Sequence, residues 1–416
     1  MNSEILQQVL ADQKQMVARK YRGVPRMVNL SMHRQSDMIT VISGVRRSGK
    51  STLTLQLADQ YPAFHFITFD DERLINFTVN DFNALLIEMK RTGDAKTIVL
   101  DEVQLVPGWE RFVRRLHDEG YKAIITGSNA KLLSSELATH LTGRYLKTEL
   151  YPFSFAEYLL FKGIDPADKS SDNAARILTA FDDYLLNGGF PEYLKSNEPE
   201  VLKRIYDDIV YRDLIVRFGI RNVTAFKNLA QYLFTNFSGE TGYLPLASLL
   251  GIQSSASIKE YFSVLTEGYL IFELTKYDFS LKRQYASIRK IYVIDNGLRN
   301  VVSFRTSADS GRLLENTVFL ELKRRGFEVW YYKTGNNRET DFLINPANPM
   351  LIQVCYEMQN PKTRKREIDS LLACMKEVNS AEGLILTKNE EEAIETGNET
   401  IRVVPVWKWC LGAEKI

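Results

Sequence analysis

An α/β fold organised around a phosphate-binding loop is what this 416-residue sequence predicts. Three observations predict it. Gly44-Val45-Arg46-Arg47-Ser48-Gly49-Lys50-Ser51 satisfies every fixed position of the pattern G-x-x-x-x-G-K-[ST]. That pattern lies between an apolar, β-branched run, Met38-Ile39-Thr40-Val41-Ile42-Ser43, and a helical stretch over residues 52–58. Further on, Thr97-Ile98-Val99-Leu100-Asp101-Glu102 reads as a buried strand delivering two carboxylates to its C-terminal end.

Glycine lets the backbone curl so that successive N–H groups face phosphate oxygens. The helix beginning near Lys50 adds the positive end of its dipole. In that arrangement Gly44, Val45, Arg46, Arg47, Ser48, Gly49 and Thr52 surround the phosphates, Lys50 reaches the β- and γ-phosphates, and the Ser51 hydroxyl sits on Mg²⁺. Asp101 is expected to hold the same ion through its water shell, and Glu102 to orient or deprotonate the attacking water. The expected ligands are ATP and Mg²⁺.

The length implies more than one domain. A hydrophobic fraction of 44%, a charged fraction of 25% and a net charge of +1 are ordinary for a globular protein, so any nucleic-acid surface must be a local patch. Cys355, Cys374 and Cys410 form neither zinc-type spacing nor a disulfide framework, and the four histidines are scattered. The opening Met1-Asn2-Ser3-Glu4-Ile5-Leu6 lacks the basic and apolar run of a signal peptide, and no stretch is long and apolar enough to span a membrane. These features place the chain in the cytoplasm.

In chain order, Ile5, Leu6, Val9, Leu10, Met16 and Val17 approximate helical spacing, which predicts an N-terminal helix on the nucleotide-binding core. Phe64-His65-Phe66-Ile67-Thr68-Phe69 alternates as a strand, and Asp81 looks like the start of a capped helix. Ala123-Ile124-Ile125-Thr126 is the next strand and stops at Gly127-Ser128-Asn129. Ser128 there reads as a group sensing the γ-phosphate or the water beside Glu102; an N-cap for a helix starting near Lys131 is an equally good account. Arg144, in Leu141-Thr142-Gly143-Arg144-Tyr145, reads either as a charge-stabilising finger, in cis or across a subunit interface, or as a surface arginine.

Together with Thr126-Gly127-Ser128, Gly143-Arg144-Tyr145 and Tyr151-Pro152-Phe153-Ser154-Phe155, these motifs resemble a family of bacterial and archaeal ATP-binding proteins. Its members join an AAA-type ATPase to a C-terminal domain of unknown function and are relatives of signal-transduction ATPases. The likeness continues through Asn187-Gly188-Gly189-Phe190-Pro191-Glu192, Tyr211-Arg212-Asp213 and Ile291-Tyr292-Val293-Ile294-Asp295-Asn296-Gly297-Leu298, and so covers most of the chain.

Residues 151–220 read mainly as helices, at 155–161, 174–186 and 201–214; the resemblance implies a helical lid beside the nucleotide. Asn187-Gly188-Gly189-Phe190-Pro191 breaks the helical pattern as a tight packing corner. Over residues 221–303, helix, turn, helix and a hairpin with Lys282-Arg283-Gln284 between its strands give a winged-helix outline, which the resemblance supports. Its second helix offers Lys259 to a nucleic acid, offset by Glu260 and Glu267, so DNA and protein partners stay equally open.

Residues 304–416 look like a degenerate restriction-endonuclease-like domain of the PD-(D/E)XK kind. In that pattern Glu315 and Asp341 fall on the helix and strand acids, but Gln353-Val354-Cys355 replaces the following Glu-x-Lys. A neutral amide is a poor Mg²⁺ ligand and a thiol cannot supply an ammonium charge, which argues against cleavage. Pro361-Lys362-Thr363-Arg364-Lys365-Arg366 is a basic cluster entering a helix, suited to phosphates or simply solvated.

The expected organisation is therefore an ATPase core at 1–150, a lid at 151–220, a winged helix at 221–303 and an inactive nuclease-like domain at 304–416. The expected function is ATP hydrolysis used as a conformational switch on a DNA or protein partner, with a homo-oligomer if Arg144 works across an interface. The alternatives are an ATP-regulated DNA nuclease and a nucleotide-sensing assembly protein.

Overall fold

β-Branched runs become the strands of the first of two units, Met1–Tyr151 and Pro152–Ile416, in the computed structural model of the chain. The structure describes residues 1–128, 141–252, 254–303 and 309–412. Within the first unit these are β1 (Ile39–Gly44), β2 (Phe64–Thr68), β3 (Thr97–Asp101), β4 (Lys122–Gly127) and β5 (Tyr145–Leu150). They pair in parallel in the order β2-β3-β4-β1-β5. β1 and β3 are buried along their whole length, whereas the edge strands β2 and β5 are partly exposed.

Because β4 lies between β1 and β3, the C-terminal ends of all three strands sit side by side. Ser43 is in register with Gly127, and Leu100 with Ile125. The segments that follow these strands are therefore brought to one edge of the sheet, where ligands of parallel α/β folds bind. The core beneath is apolar and aromatic. Leu6, Val9 and Leu10 of the Ser3–Arg19 helix join it, and Phe82 stacks on Phe112 with centroids 4.3 Å apart.

The second unit opens with helices Phe155–Phe161, Ser171–Asn187, Pro191–Ser196 and Pro199–Asp207. The helix expected over 201–214 changes character at Asp208, where a π-helix runs to Val216 and carries Tyr211-Arg212-Asp213. Helices Val223–Thr235, Tyr243–Leu249 and Ser255–Glu267 follow. With them comes a three-stranded antiparallel sheet of β6 (Glu240–Thr241), β7 (Ile271–Thr275) and β8 (Arg289–Val293), in the order β6-β8-β7. Lys282-Arg283-Gln284 lies on a short helix, Leu281–Ala286, rather than in a bare hairpin turn.

The remainder is a mixed sheet of β9 (Trp330–Lys333), β10 (Glu339–Ile344), β11 (Met350–Val354), β12 (Glu382–Thr387), β13 (Glu392–Thr396) and β14 (Glu399–Pro405). Its order is β13-β14-β12-β11-β10-β9, and helices Ser310–Arg324 and Pro361–Val378 belong to the same part of the chain. The strand expected over 327–332 shortens to β9, with residues 327–329 outside the ladder.

One polar clasp joins distant parts of this unit. The buried Asp295 carboxylate accepts from Gly189 N at 2.7 Å and from Leu298 N at 2.9 Å, capping helix Asn296–Val302. A Cβ on Gly297 would lie 2.0 Å from the Asn187 carbonyl oxygen, so glycine is required for that approach. Asp295→Ala leaves two buried N–H groups without acceptors and is expected to destabilise the chain by about 3 kcal/mol. A thermal melt of the variant matching that of the parent would show that the clasp contributes nothing.

Candidate functional site

The loop after β1 is built for close backbone approach. Gly44 has φ 147°, and a Cβ there would stand 2.1 Å from the Leu150 carbonyl oxygen at the end of β5, which no side chain tolerates. Arg47 (φ 65°) and Gly49 (φ 97°) take left-handed conformations, and Gly49 caps the helix Lys50–Ala58. Lys50, only 5% exposed, donates from Nζ to the carbonyls of Gly44 (3.1 Å) and Val45 (3.0 Å).

Arg26 braces this loop from outside it. Its Nη1 donates to the Ser48 carbonyl at 2.7 Å and its Nη2 to the Tyr151 carbonyl at 2.8 Å. The Gln56 amide holds the segment preceding Arg26 by donating to Arg22 O (2.7 Å) and Val24 O (2.9 Å). Thr52 packs beside Gly23. The Ser48 hydroxyl is buried without a hydrogen-bond partner, an orphaned polar atom within the loop. A cleft of about 450 Å³ lies alongside, lined by Gly23, Pro25, Arg26, Val28, Leu53 and Gln56 among others.

Asp101 ends β3, and its carboxylate accepts from Ser51 Oγ at 3.0 and 3.1 Å and from Thr126 Oγ1 at 2.6 Å. Thr126 Oγ1 in turn accepts from Glu102 N at 3.0 Å. Burial, and then the charge of Glu102, push the Asp101 carboxyl above its ordinary range. Glu102 adopts a left-handed backbone (φ 53°), and its carboxylate accepts from Ser128 Oγ at 2.9 and 3.1 Å and from the Gln104 amide.

The donor set fits Mg²⁺. Ser51 and Asp101 offer hard oxygen atoms on adjoining elements, and a bound cation would relieve the desolvation that raises Asp101. Among the described residues no group of three or more His, Cys, Asp or Glu could hold a metal, which suits an ion that takes one carboxylate and relies on nucleotide phosphates.

The expectation that Arg144 might act as a finger within its own chain is corrected by the topology. Arg144 directly precedes β5, and its carbonyl accepts from Ile39 N at 2.9 Å, at the N-terminal edge of the sheet. The phosphate loop begins at the opposite end of β1, about 17 Å away at the usual rise of a strand. Its guanidinium instead lies 3.8 Å from Asp118. The alternative reading of Ser128 as an N-cap concerns a helix whose start, near Lys131, falls outside the described residues.

In the second unit Glu315 and Asp341 do converge, but on a residue that no motif had singled out. Lys290 Nζ lies 3.1 Å from Asp341 Oδ1 and 3.7 Å from Glu315 Oε1. The Gln353 amide is turned to Glu367 at 2.8 Å, and burial with the Glu367 charge pushes the Cys355 thiol up to about 11. Cys355 is therefore a neutral thiol near pH 7. Of the basic cluster at 361–366, Arg364 is paired with Glu392 and Arg366 with Glu367. Arg26, Gln104, Thr126 and Lys290 were missed because each is a single residue whose partners are remote in sequence or unmarked by spacing.

A parallel sheet in this order, with its loop after β1 and acid pair after β3, is the fold of a P-loop ATPase domain. Residues 36–159 match a family model described as an AAA domain. Residues 178–309 and 310–409 match two models, each described as a domain of unknown function (DUF8612 and DUF4143). The chain is 37% identical to an uncharacterized protein of Methanocaldococcus jannaschii, over 98% of this chain and 95% of that protein. It is 33% identical to an uncharacterized protein of Haemophilus influenzae, over 90% of this chain and 95% of that one. The chain belongs to the family of these AAA-domain proteins. Among solved structures, AMPPCP-bound DnaA from Aquifex aeolicus aligns over 57% of this chain and 85% of its own, with 12% identity and a TM-score of 0.24. No helix among the described residues is long and apolar enough to cross a membrane.

Proposed function

We propose that this protein binds ATP with Mg²⁺ and hydrolyses it, using turnover as a conformational switch on a macromolecular partner. The observation that carries the reading is the continuous network Ser51–Asp101–Thr126 beside Glu102–Ser128, at the mouth of the phosphate loop. Gly44, Val45, Arg46, Arg47, Ser48, Gly49 and Thr52 line the phosphates, and Lys50 exchanges its loop carbonyls for phosphate oxygens. The nucleoside lies towards the cleft beside Arg26. Ser51 and Asp101 hold Mg²⁺, which when bound neutralises phosphate charge. Glu102 takes the proton of the attacking water, and Ser128 fixes the orientation of its carboxylate.

Arg144, at the far edge of the sheet, acts on the nucleotide of a neighbouring subunit in a homo-oligomer. Arg144→Ala alone and Glu102→Gln alone are both expected to turn ATP over slowly, while mixing the two proteins restores turnover. Mixed protein no faster than its components would remove the role in trans.

Residues 151–220 serve as a lid, 221–303 as a winged helix and 304–416 as a nuclease-like fold without cleavage. The β6-β8-β7 sheet with its preceding helices supports the second assignment, and the engagement of Glu315 and Asp341 with Lys290 supports the loss of cleavage in the third. The partner surface includes the connection between β7 and β8. Phe279 and Tyr285 are 80% and 77% exposed there, beside Lys282 and Arg283. That mixture of rings and cations suits DNA, with a protein as the alternative. The test is ATP turnover with and without duplex DNA, with cleavage products sought in the same tubes. Metal-dependent nicking that disappears in Asp341→Ala would replace this reading with an ATP-regulated nuclease.

A further inference from the structure

Four charged residues from three elements meet in the interior of the second unit. Lys290 comes from β8, Glu315 from the helix Ser310–Arg324, and Glu339 and Asp341 from β10. The Lys290 ammonium lies 2.7 Å from Glu339 Oε1, 3.1 Å from Asp341 Oδ1 and 3.7 Å from Glu315 Oε1. The Lys290 side chain is 5% exposed and that of Asp341 11%. Three carboxylates around one buried ammonium exceed what an ordinary ion pair needs, and each buried anion costs several kcal/mol unless it is neutralised.

The remaining acceptors are only partly served. Tyr292, two residues along β8 and so on the same face as Lys290, donates to Glu315 Oε1 at 2.7 Å. Val354 N donates to Asp341 Oδ2 at 2.9 Å, and Lys333 reaches Glu339 from the rim at 3.6 Å. Gln353 stands across from Asp341, since the antiparallel ladder pairs Phe342 with Ile352. Its side chain is buried and its Oε1 has no hydrogen-bond partner. The face of β10 and β11 that carries the acids thus holds an additional neutral oxygen with no donor aimed at it.

We infer that Lys290 is a tethered cation standing in the place of a divalent metal ion. Glu315, Asp341 and Gln353, with Glu339 at the rim, form an oxygen-donor cation site that the ammonium keeps closed. Hard ions such as Mg²⁺ and Mn²⁺ match this set of carboxylate and amide oxygens. An ammonium supplies one positive charge and hydrogen bonds, so it balances part of the site without accepting a phosphate or a water as a ligand. The inference stands on these side chains and does not need the ATPase reading. It differs from the nuclease-like expectation in that the ion is excluded by a residue present in the chain, not only by the missing acid at position 353.

The experiment uses the full chain carrying Asp101→Asn throughout, so that the phosphate-loop site contributes no metal binding. Mn²⁺ is titrated by electron paramagnetic resonance into this protein and into the same protein with Lys290→Met. The expected result is one ion per chain, bound at least about 10-fold more tightly once the ammonium is gone, the scale of a 1.4 kcal/mol change. Adding Asp341→Asn should abolish the gain. Equal affinity with and without Lys290, or a gain that survives Asp341→Asn, overturns the inference. If Lys290→Met does not fold in metal-free buffer, refolding is compared in Mn²⁺ and in K⁺. Recovery of a cooperative melt in Mn²⁺ alone supports the site, and no recovery in Mn²⁺ overturns it.

Discussion

Glu102→Gln is expected to bind ATP with Mg²⁺ as the parent does and to turn it over at least about 100-fold more slowly, the usual scale for losing a general base. Glutamine keeps the shape of the side chain but cannot take a proton from water. The neighbours make this substitution a clean test. Ser128 Oγ and the Gln104 amide already hold the carboxylate in place, so the variant loses basicity more than position. Phosphate release and nucleotide titration on the same preparation separate the two effects. Near-normal release would move the catalytic role to another residue.

Lys50→Ala is expected to weaken ATP binding by roughly 100-fold, because a charge-assisted hydrogen bond to phosphate contributes up to about 3 kcal/mol. The fold should survive. The loop remains braced by Arg26 and by the Gly44 approach to Leu150, and neither contact involves the ammonium. Titration calorimetry reads the affinity, and a thermal melt verifies that the chain is intact. Unchanged affinity would remove the loop from the nucleotide site altogether.

What was legible in the sequence was what is contiguous. Gly44 to Ser51 carry their own geometry, and the run ending at Asp101-Glu102 announces a strand that delivers acids. Arg144 was legible as a candidate, but its location was not. Whether it can reach the loop depends on which end of β5 lies beside β1, and strand order is a tertiary fact. Thr126 was visible only as part of a strand end, yet its hydroxyl joins Asp101 to the backbone of Glu102. Lys290 stands 51 positions before Asp341 and belongs to a different sheet, so no local pattern connects them. The passage from α- to π-helix at Asp208 was hidden for another reason. Apolar residues at helical spacing suit both windings over so short a span.

The meeting of Gly44 with Leu150, and of Arg26 with Ser48 and Tyr151, bears on how tightly a nucleotide can be held. Loops that order themselves around a ligand lose conformational entropy as they do so, and that loss is subtracted from the affinity. Here main chain is packed directly on main chain at one end of the loop, and a guanidinium joins two carbonyls at the other. The cradle is rigid before any phosphate arrives. Capture therefore resembles docking into a preformed mould, and release of the product does not require that mould to dissolve. The side chains free to exchange partners during a cycle are those at its lip, with the Lys50 ammonium first among them.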